Sequence, residues 1–198
     1  MGKTLIVGGT KGIGEEIAQL LENKECVLFS REAHRVSSNY HVHYQLDVAD
    51  GNFPDIEDIS SIVYCPGTIN LKPFRSLKID DFQNDFDVNF LGAIKVIQYY
   101  QRALSKAENA SIILFSTVAV NQGMNFHASI ASAKGAVEGL TKSLAAEFAG
   151  KIRVNCIAPS LTDTPLAQGI LRNEDAIKRS NERHPSKRIN TASDVAKT

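Results

Sequence analysis

The 198-residue sequence predicts an α/β domain, a parallel sheet wound by helices on both faces. Three observations lead there. Short runs rich in Val, Ile and Leu alternate with longer stretches whose apolar residues recur every three or four positions. The short runs are apolar on both faces, as strands between two helix layers must be. The first run ends in glycines and passes straight into a helical stretch. No repeat, linker or low-complexity tract interrupts the pattern, so residues 1–198 form one domain.

The elements follow in order. K-T-L-I-V-G-G (3–9) is a strand, and 13–21 a helix with Ile13, Ile17, Leu20 and Leu21 on one face. Strands follow at 26–30, 42–46 and 61–65. One long helix is expected over about 79–105, where Ile79, Phe82, Phe86, Phe90, Ile94 and Ile97 share a face. A strand at 111–117, a helix at 128–149 and a strand at 152–158 complete the alternation. Residues 31–40 are too few for a full crossover helix between the second and third strands.

Composition narrows the function classes. Lys plus Arg (22) balances Asp plus Glu (22), which argues against a basic nucleic-acid face. No apolar run approaches the roughly 18 residues of a membrane span. The start, M-G-K-T-L-I-V-G-G, lacks the apolar core of a signal peptide. A cytoplasmic protein with no nucleic-acid or membrane partner is expected. Cys26, Cys65 and Cys156 lie in or beside apolar runs without CxxC spacing and read as buried thiols. His41 and His43 share a strand face but have no third ligand, so no metal is expected.

The stretch Gly8-Gly9-Thr10-Lys11-Gly12-Ile13-Gly14 joins the first strand to the first helix. Glycines there let the backbone approach a pyrophosphate, and the helix N-terminus offers free N–H groups and a positive dipole end. The spacing is G-x-x-x-G-x-G, and it resembles that of the short-chain dehydrogenase/reductase family. The resemblance covers nearly the whole chain. Asp47-Val48 stands where that family contacts the adenine, and Cys65-Pro66-Gly67 where it has N-A-G. D-V-N-F with Asn89 is similar to its N-V-N segment. S-A-K-G-A-V-E-G-L-T-K-S-L-A-A-E-F resembles its catalytic helix. R-V-N-C-I-A-P-S-L-T-D-T, with Pro159 and Thr164, resembles the segment beside the nicotinamide. The ketoacyl-carrier-protein reductase type is the most similar branch.

The resemblance implies a Rossmann fold, a nicotinamide cofactor and a carbonyl or alcohol substrate. It implies cofactor contacts at Gly8, Thr10, Lys11, Gly12, Ile13, Gly14, Asp47, Val48, Pro66, Gly67, Asn89, Lys134, Pro159 and Thr164. Ser30 ends the second strand in place of the carboxylate that binds an NAD ribose, and Arg31 follows. With Lys11 opposite and no competing acid, this reading favours NADP(H).

In the family, Asn, Ser, Tyr and Lys act together. Asn89 and Lys134 match. Thr117, thirteen residues before position 130, takes the serine position; Ser116 is the neighbouring hydroxyl, facing the other way. The tyrosine belongs four residues before the lysine, and that residue is Ile130. His127, seven before Lys134, stands at the spacing of the enoyl-reductase tyrosine and offers a substitute acid. A substrate lid is expected at about 165–190. The resemblance also implies a homodimer or homotetramer, paired through the 79–105 and 128–149 helices. It further implies a C-terminal strand that this sequence lacks. Two functions compete: an NADP(H)-dependent oxidoreductase with an atypical site, and an NADP(H)-binding scaffold, sensor or partner subunit without catalysis.

Overall fold

A computed structural model describes residues 2–32 and 38–198. Strands β1 (Lys3–Val7), β2 (Cys26–Ser30), β3 (His41–Gln45), β4 (Ile59–Tyr64), β5 (Ala110–Phe115) and β6 (Ile152–Ile157) form one sheet. Their order is β3-β2-β1-β4-β5-β6, and every neighbouring pair is parallel. The order reverses between β1 and β4. A crevice therefore opens at their C-terminal ends, where Gly8 follows β1 and Cys65-Pro66 follows β4. The short link from β2 to β3 lies partly outside the described residues.

Alternating side chains build a core on each face of the sheet. Leu5, Val7, Phe29, Ile62 and Tyr64 pack with Val96, Ile97, Tyr100, Leu104 and Val137 on one side. Ile6, Leu28, Val63 and Phe115 pack on the other, with Ala18 of α1 (Gly12–Leu20) and Val195 of a C-terminal helix. Cys26 is buried, whereas Cys65 and Cys156 are only partly covered.

The expected single helix over 79–105 is corrected. It is α2 (Ile79–Phe86), a π-helical turn at Asp87–Leu91, and α3 (Gly92–Leu104). The wide turn lets the Tyr64 hydroxyl donate to the Val88 carbonyl at 2.6 Å. Gly92 makes room for it, since a Cβ there would strike that hydroxyl. The buried face is also offset from the apolar stripe. Asp85 and Asn89 are 0% and 1% exposed, while Ile79 is 72% exposed. Phe82, Phe86 and Phe90 are only half-buried.

After β5, α4 (Ala119–Gln122) precedes α5 (Ala128–Glu147), the helix that carries Lys134. The segment 165–190, expected as a substrate lid, contains regular structure. Two short parallel strands, β7 (Thr162–Asp163) and β8 (Asn190–Thr191), bracket it. Between them lies α6 (Glu174–Arg183), whose N-cap Asn173 accepts from the Ala176 N–H at 2.9 Å. Finally α7 (Ala192–Ala196) packs against α1. Among the described residues no helix is long and apolar enough to cross a membrane.

Candidate active site

The crevice is a cleft of about 410 Å³. Its walls include Gly8, Thr10 and Lys11 from the glycine loop, Ser30 and Arg31 after β2, Asp47 and Val48 after β3, and Pro66 and Gly67 after β4. Gly8 and Gly12 take φ of +74° and +57°, a region costly for residues with a Cβ. A side chain on Gly14 would collide with the Gly8 carbonyl, so the helix start and the loop touch backbone to backbone. Thr164 reaches the same loop, its side chain 3.4 Å from where a Cβ on Gly12 would lie. Pro159 accepts from the Val118 N–H at 3.2 Å, beside the end of β5. Asp47 caps the turn after β3, accepting from the Ala49 N–H at 2.9 Å.

Beside Ser30 and Arg31 one expectation is corrected. An acid does compete: Glu32, passed over in the sequence, pairs with Lys11 at 2.7 Å. Lys11 holds the Glu32 carboxyl below its usual range by hydrogen bonding and charge. Both side chains are exposed, so the pair is easily opened. Ser30 is already engaged. Its Oγ donates to the Glu32 carbonyl at 2.8 Å, which makes the His43 Nε2, also at 2.8 Å, its donor. Arg31 is a second cation on this wall.

Behind Gly67 the site changes character. Lys134 is 8% exposed, and its Nζ donates to the Phe115 carbonyl at 2.8 Å. Burial pulls its pKa down to about 8, against the opposing influence of Cys156, Cys65 and Asp85. Burial in turn pushes the Cys65 thiol up to about 12. Asn89 meets Lys134 at Gly67: a Cβ on that glycine would lie 3.3 Å from Asn89 Oδ1 and 3.6 Å from Lys134 Nζ. Asn89 Oδ1 is buried without a hydrogen-bond partner among the described residues.

The proton-handling positions are less connected. Ile130 is buried, at 6% exposure, and carries no exchangeable proton. Ser116 and Thr117 do diverge: Ser116 donates to Glu138 at 2.6 Å, while Thr117 Oγ1 accepts from the Ala119 N–H at 3.3 Å. His127 precedes α5, with Nδ1 2.7 Å from the Asn125 carbonyl. A carbonyl only accepts, so Nδ1 carries the hydrogen. No hydrogen bond joins Thr117 or His127 to Asn89 or Lys134 among the described residues.

Sequence reasoning missed Asp85, Ser129 and Thr68. Asp85, at 0% exposure, accepts from Thr68 Oγ1 at 2.6 Å and from Ser129 Oγ at 2.5 Å. The signal was there: Asp85 precedes Asn89 by one helical turn, between Phe82 and Phe86 of the apolar stripe.

A doubly wound parallel sheet with a glycine loop at its switch point and a buried lysine behind the cleft defines an α/β domain of the Rossmann class. The comparisons narrow this. The family profile described as enoyl-(acyl carrier protein) reductase matches residues 47–198. Xanthoxin dehydrogenase of Arabidopsis thaliana is 30% identical over 205 residues, 88% of this chain and 70% of the relative. A tropinone reductase homologue of the same plant is 28% identical over 216 residues, covering 97% and 82%. Among solved structures, ElxO with NADP bound superposes with a TM-score of 0.86 at 27% identity, over 100% of this chain and 89% of that one. The chain belongs to the short-chain dehydrogenase/reductase family.

Proposed function

We propose that this protein binds NADP(H) in the cleft and reduces a carbonyl, or oxidises the matching alcohol, with an atypical proton donor. One observation carries the reading. The cleft runs from the glycine loop and Arg31 to Gly67, and Lys134 and Asn89 converge behind Gly67. The glycine cradle and the unpartnered Asn89 Oδ1 both fit such a cofactor. Gly8, Thr10, Gly12, Ile13 and Gly14 hold the pyrophosphate, Arg31 the 2′-phosphate, and Asp47 and Val48 the adenine. Lys134 holds the nicotinamide ribose; Pro159 and Thr164 flank that end. ElxO with NADP bound, and a tyrosine-to-phenylalanine variant of ElxO with NADPH bound, support the choice of cofactor.

A reduced nicotinamide, when bound, supplies the hydride. Thr117 donates a hydrogen bond to the substrate oxygen, and His127 delivers the proton. Because Nδ1–H is held by Asn125, a neutral His127 presents a bare Nε2. It can give a proton from Nε2 only in its doubly protonated form. The test is NADPH oxidation against a panel of aldehydes and ketones, for wild type and His127→Ala. The reading expects turnover that drops about 10²–10⁴-fold in the variant. No turnover with any substrate, alongside tight NADPH binding, transfers support to the second reading.

That second reading is a scaffold, sensor or partner subunit that holds NADP(H) without chemistry. Buried Ile130 favours it, because it packs where the family places its proton donor. In either case we expect a homodimer or homotetramer of a cytoplasmic protein. Half-buried Phe82, Phe86 and Phe90, with Leu91 at 41% and Tyr99 at 46% exposure, offer an apolar face for pairing.

A further inference from the structure

We propose that Asp85 is a positioning residue: acting through Thr68, its buried carboxylate fixes the Asn89 carboxamide so that Oδ1 faces Gly67 and Lys134 as the acceptor for an O–H donor. The inference rests on the proposed function only for the source of that donor.

The direction of each bond follows from the groups. Without a proton of its own, the carboxylate can only accept. Thr68 Oγ1, at 2.6 Å, and Ser129 Oγ, at 2.5 Å, must therefore both donate to it. Thr68 has then spent its single proton, and its oxygen is left with lone pairs. Asn89 Nδ2, at 2.8 Å, must be the donor to that oxygen. The second Nδ2 hydrogen goes to the Asp85 backbone carbonyl at 2.7 Å, another group that only accepts. A flipped amide would set oxygen against oxygen at both contacts. Asp85 thus holds one orientation of Asn89 with two of its own atoms, one directly and one through Thr68.

The consequence lies at the other end of the amide. Oδ1 is buried, has no partner, and points to the edge of Gly67 where Lys134 Nζ also arrives. A buried carbonyl oxygen without a partner is costly, by about 1–3 kcal/mol. An O–H group placed there can donate to Oδ1 and accept from the ammonium. The same carboxylate ties down Ser129, whose Oγ also lies 3.2 Å from the Asp81 carbonyl. Ser129 precedes Ile130, so Asp85 anchors the turn of α5 from which the family's proton donor is missing. Burying an acid here is not an accident of packing, since both of its oxygens are used.

The donor is a cofactor hydroxyl or a bound water, and the experiment separates them. Exchange of the Asn89 side-chain NH2 protons is followed by NMR in the free protein, for wild type, Thr68→Ser, Thr68→Val and Asp85→Asn. NADPH affinity and kcat are measured on the same proteins. Wild type and Thr68→Ser should exchange slowly. Thr68→Val should exchange about tenfold faster or more, the scale of one lost buried hydrogen bond. Asp85→Asn should do the same if it folds; Thr68→Val keeps the question open to an answer if it does not. A roughly tenfold loss of NADPH affinity in Thr68→Val, spared in Thr68→Ser, assigns the donor to the cofactor. Unchanged affinity with a lowered kcat assigns it to water. Exchange in Thr68→Val equal to wild type overturns the proposal, as do unchanged affinity and kcat together. If wild type binds no nicotinamide dinucleotide, the proposed function fails, while exchange in the free protein still decides the role of Asp85.

Discussion

The two ends of the cleft are built from different materials. The end proposed for the pyrophosphate and ribose is made of backbone and exposed charge: Gly8 and Gly12 at positive φ, Gly14 against the Gly8 carbonyl, and Lys11, Arg31 and Glu32 on the rim. The end proposed for the nicotinamide is made of buried side chains, each with a specific partner: Lys134, Asn89, Asp85 and Ser129. The first end depends on the absence of side chains, so few residues can replace its glycines. The second depends on networks, in which one side chain can be exchanged while its neighbours hold their places. On the proposed reading, Ile130 is such an exchange. It fills apolar space at 6% exposure and leaves Lys134 and Asn89 in position.

The largest expected effect breaks the contrast from the nicotinamide end. Ile130→Tyr restores a proton donor one helical turn before Lys134 and should raise carbonyl reduction about 10²–10⁴-fold. Steady-state assays with NADPH check it. An unchanged rate would mean that the remaining groups are not held in a productive arrangement. From the other end, Gly14→Ala should cost more than about tenfold in dinucleotide affinity, because its Cβ meets the Gly8 carbonyl. Titration calorimetry on the folded variant reads this directly.

How much of this contrast was legible in the sequence follows the same division. The glycine loop, the alternation of strands and helices and Lys134 could be read, because each is a short local pattern. The π-helical turn at Asp87–Leu91 could not, since it depends on Tyr64 reaching Val88 from another element. Nor could the Asp85 network, which joins positions 17 and 44 residues apart. Glu32 stood next to Arg31 in plain view, yet its pairing with Lys11 across 21 residues shows only in three dimensions. The stripe of Ile79, Phe82, Phe86 and Phe90 placed helical structure in the right stretch but missed its π-helical break and its buried face, because hydrogen-bonded Asp85 and Asn89 take the interior instead.

Two smaller effects sharpen the comparison. Lys134 has its pKa pulled down to about 8 by burial, below its ordinary value of 10.5. Between those values the unfolded chain binds more protons than the folded one, so stability rises with pH across about pH 8 to 10.5. Lys134→Met should remove up to ~3 kcal/mol of that rise, measured as denaturant unfolding at several pH values. NADPH affinity should fall over the same window as the ammonium is lost. The smallest effect is at the rim. Glu32→Gln frees Lys11 and should shift the preference for NADPH over NADH by roughly two- to fivefold, since an exposed pair contributes little. Competitive titration of the two nucleotides reads the shift, and an opposite sign would make Glu32 a ribose ligand.

The most direct test of the account is calorimetric titration of the wild-type protein with NADPH and with NADH. Saturable binding of NADPH, at least about tenfold tighter than NADH, is the predicted result. Binding of neither nucleotide would contradict the claim that this cleft holds a nicotinamide cofactor.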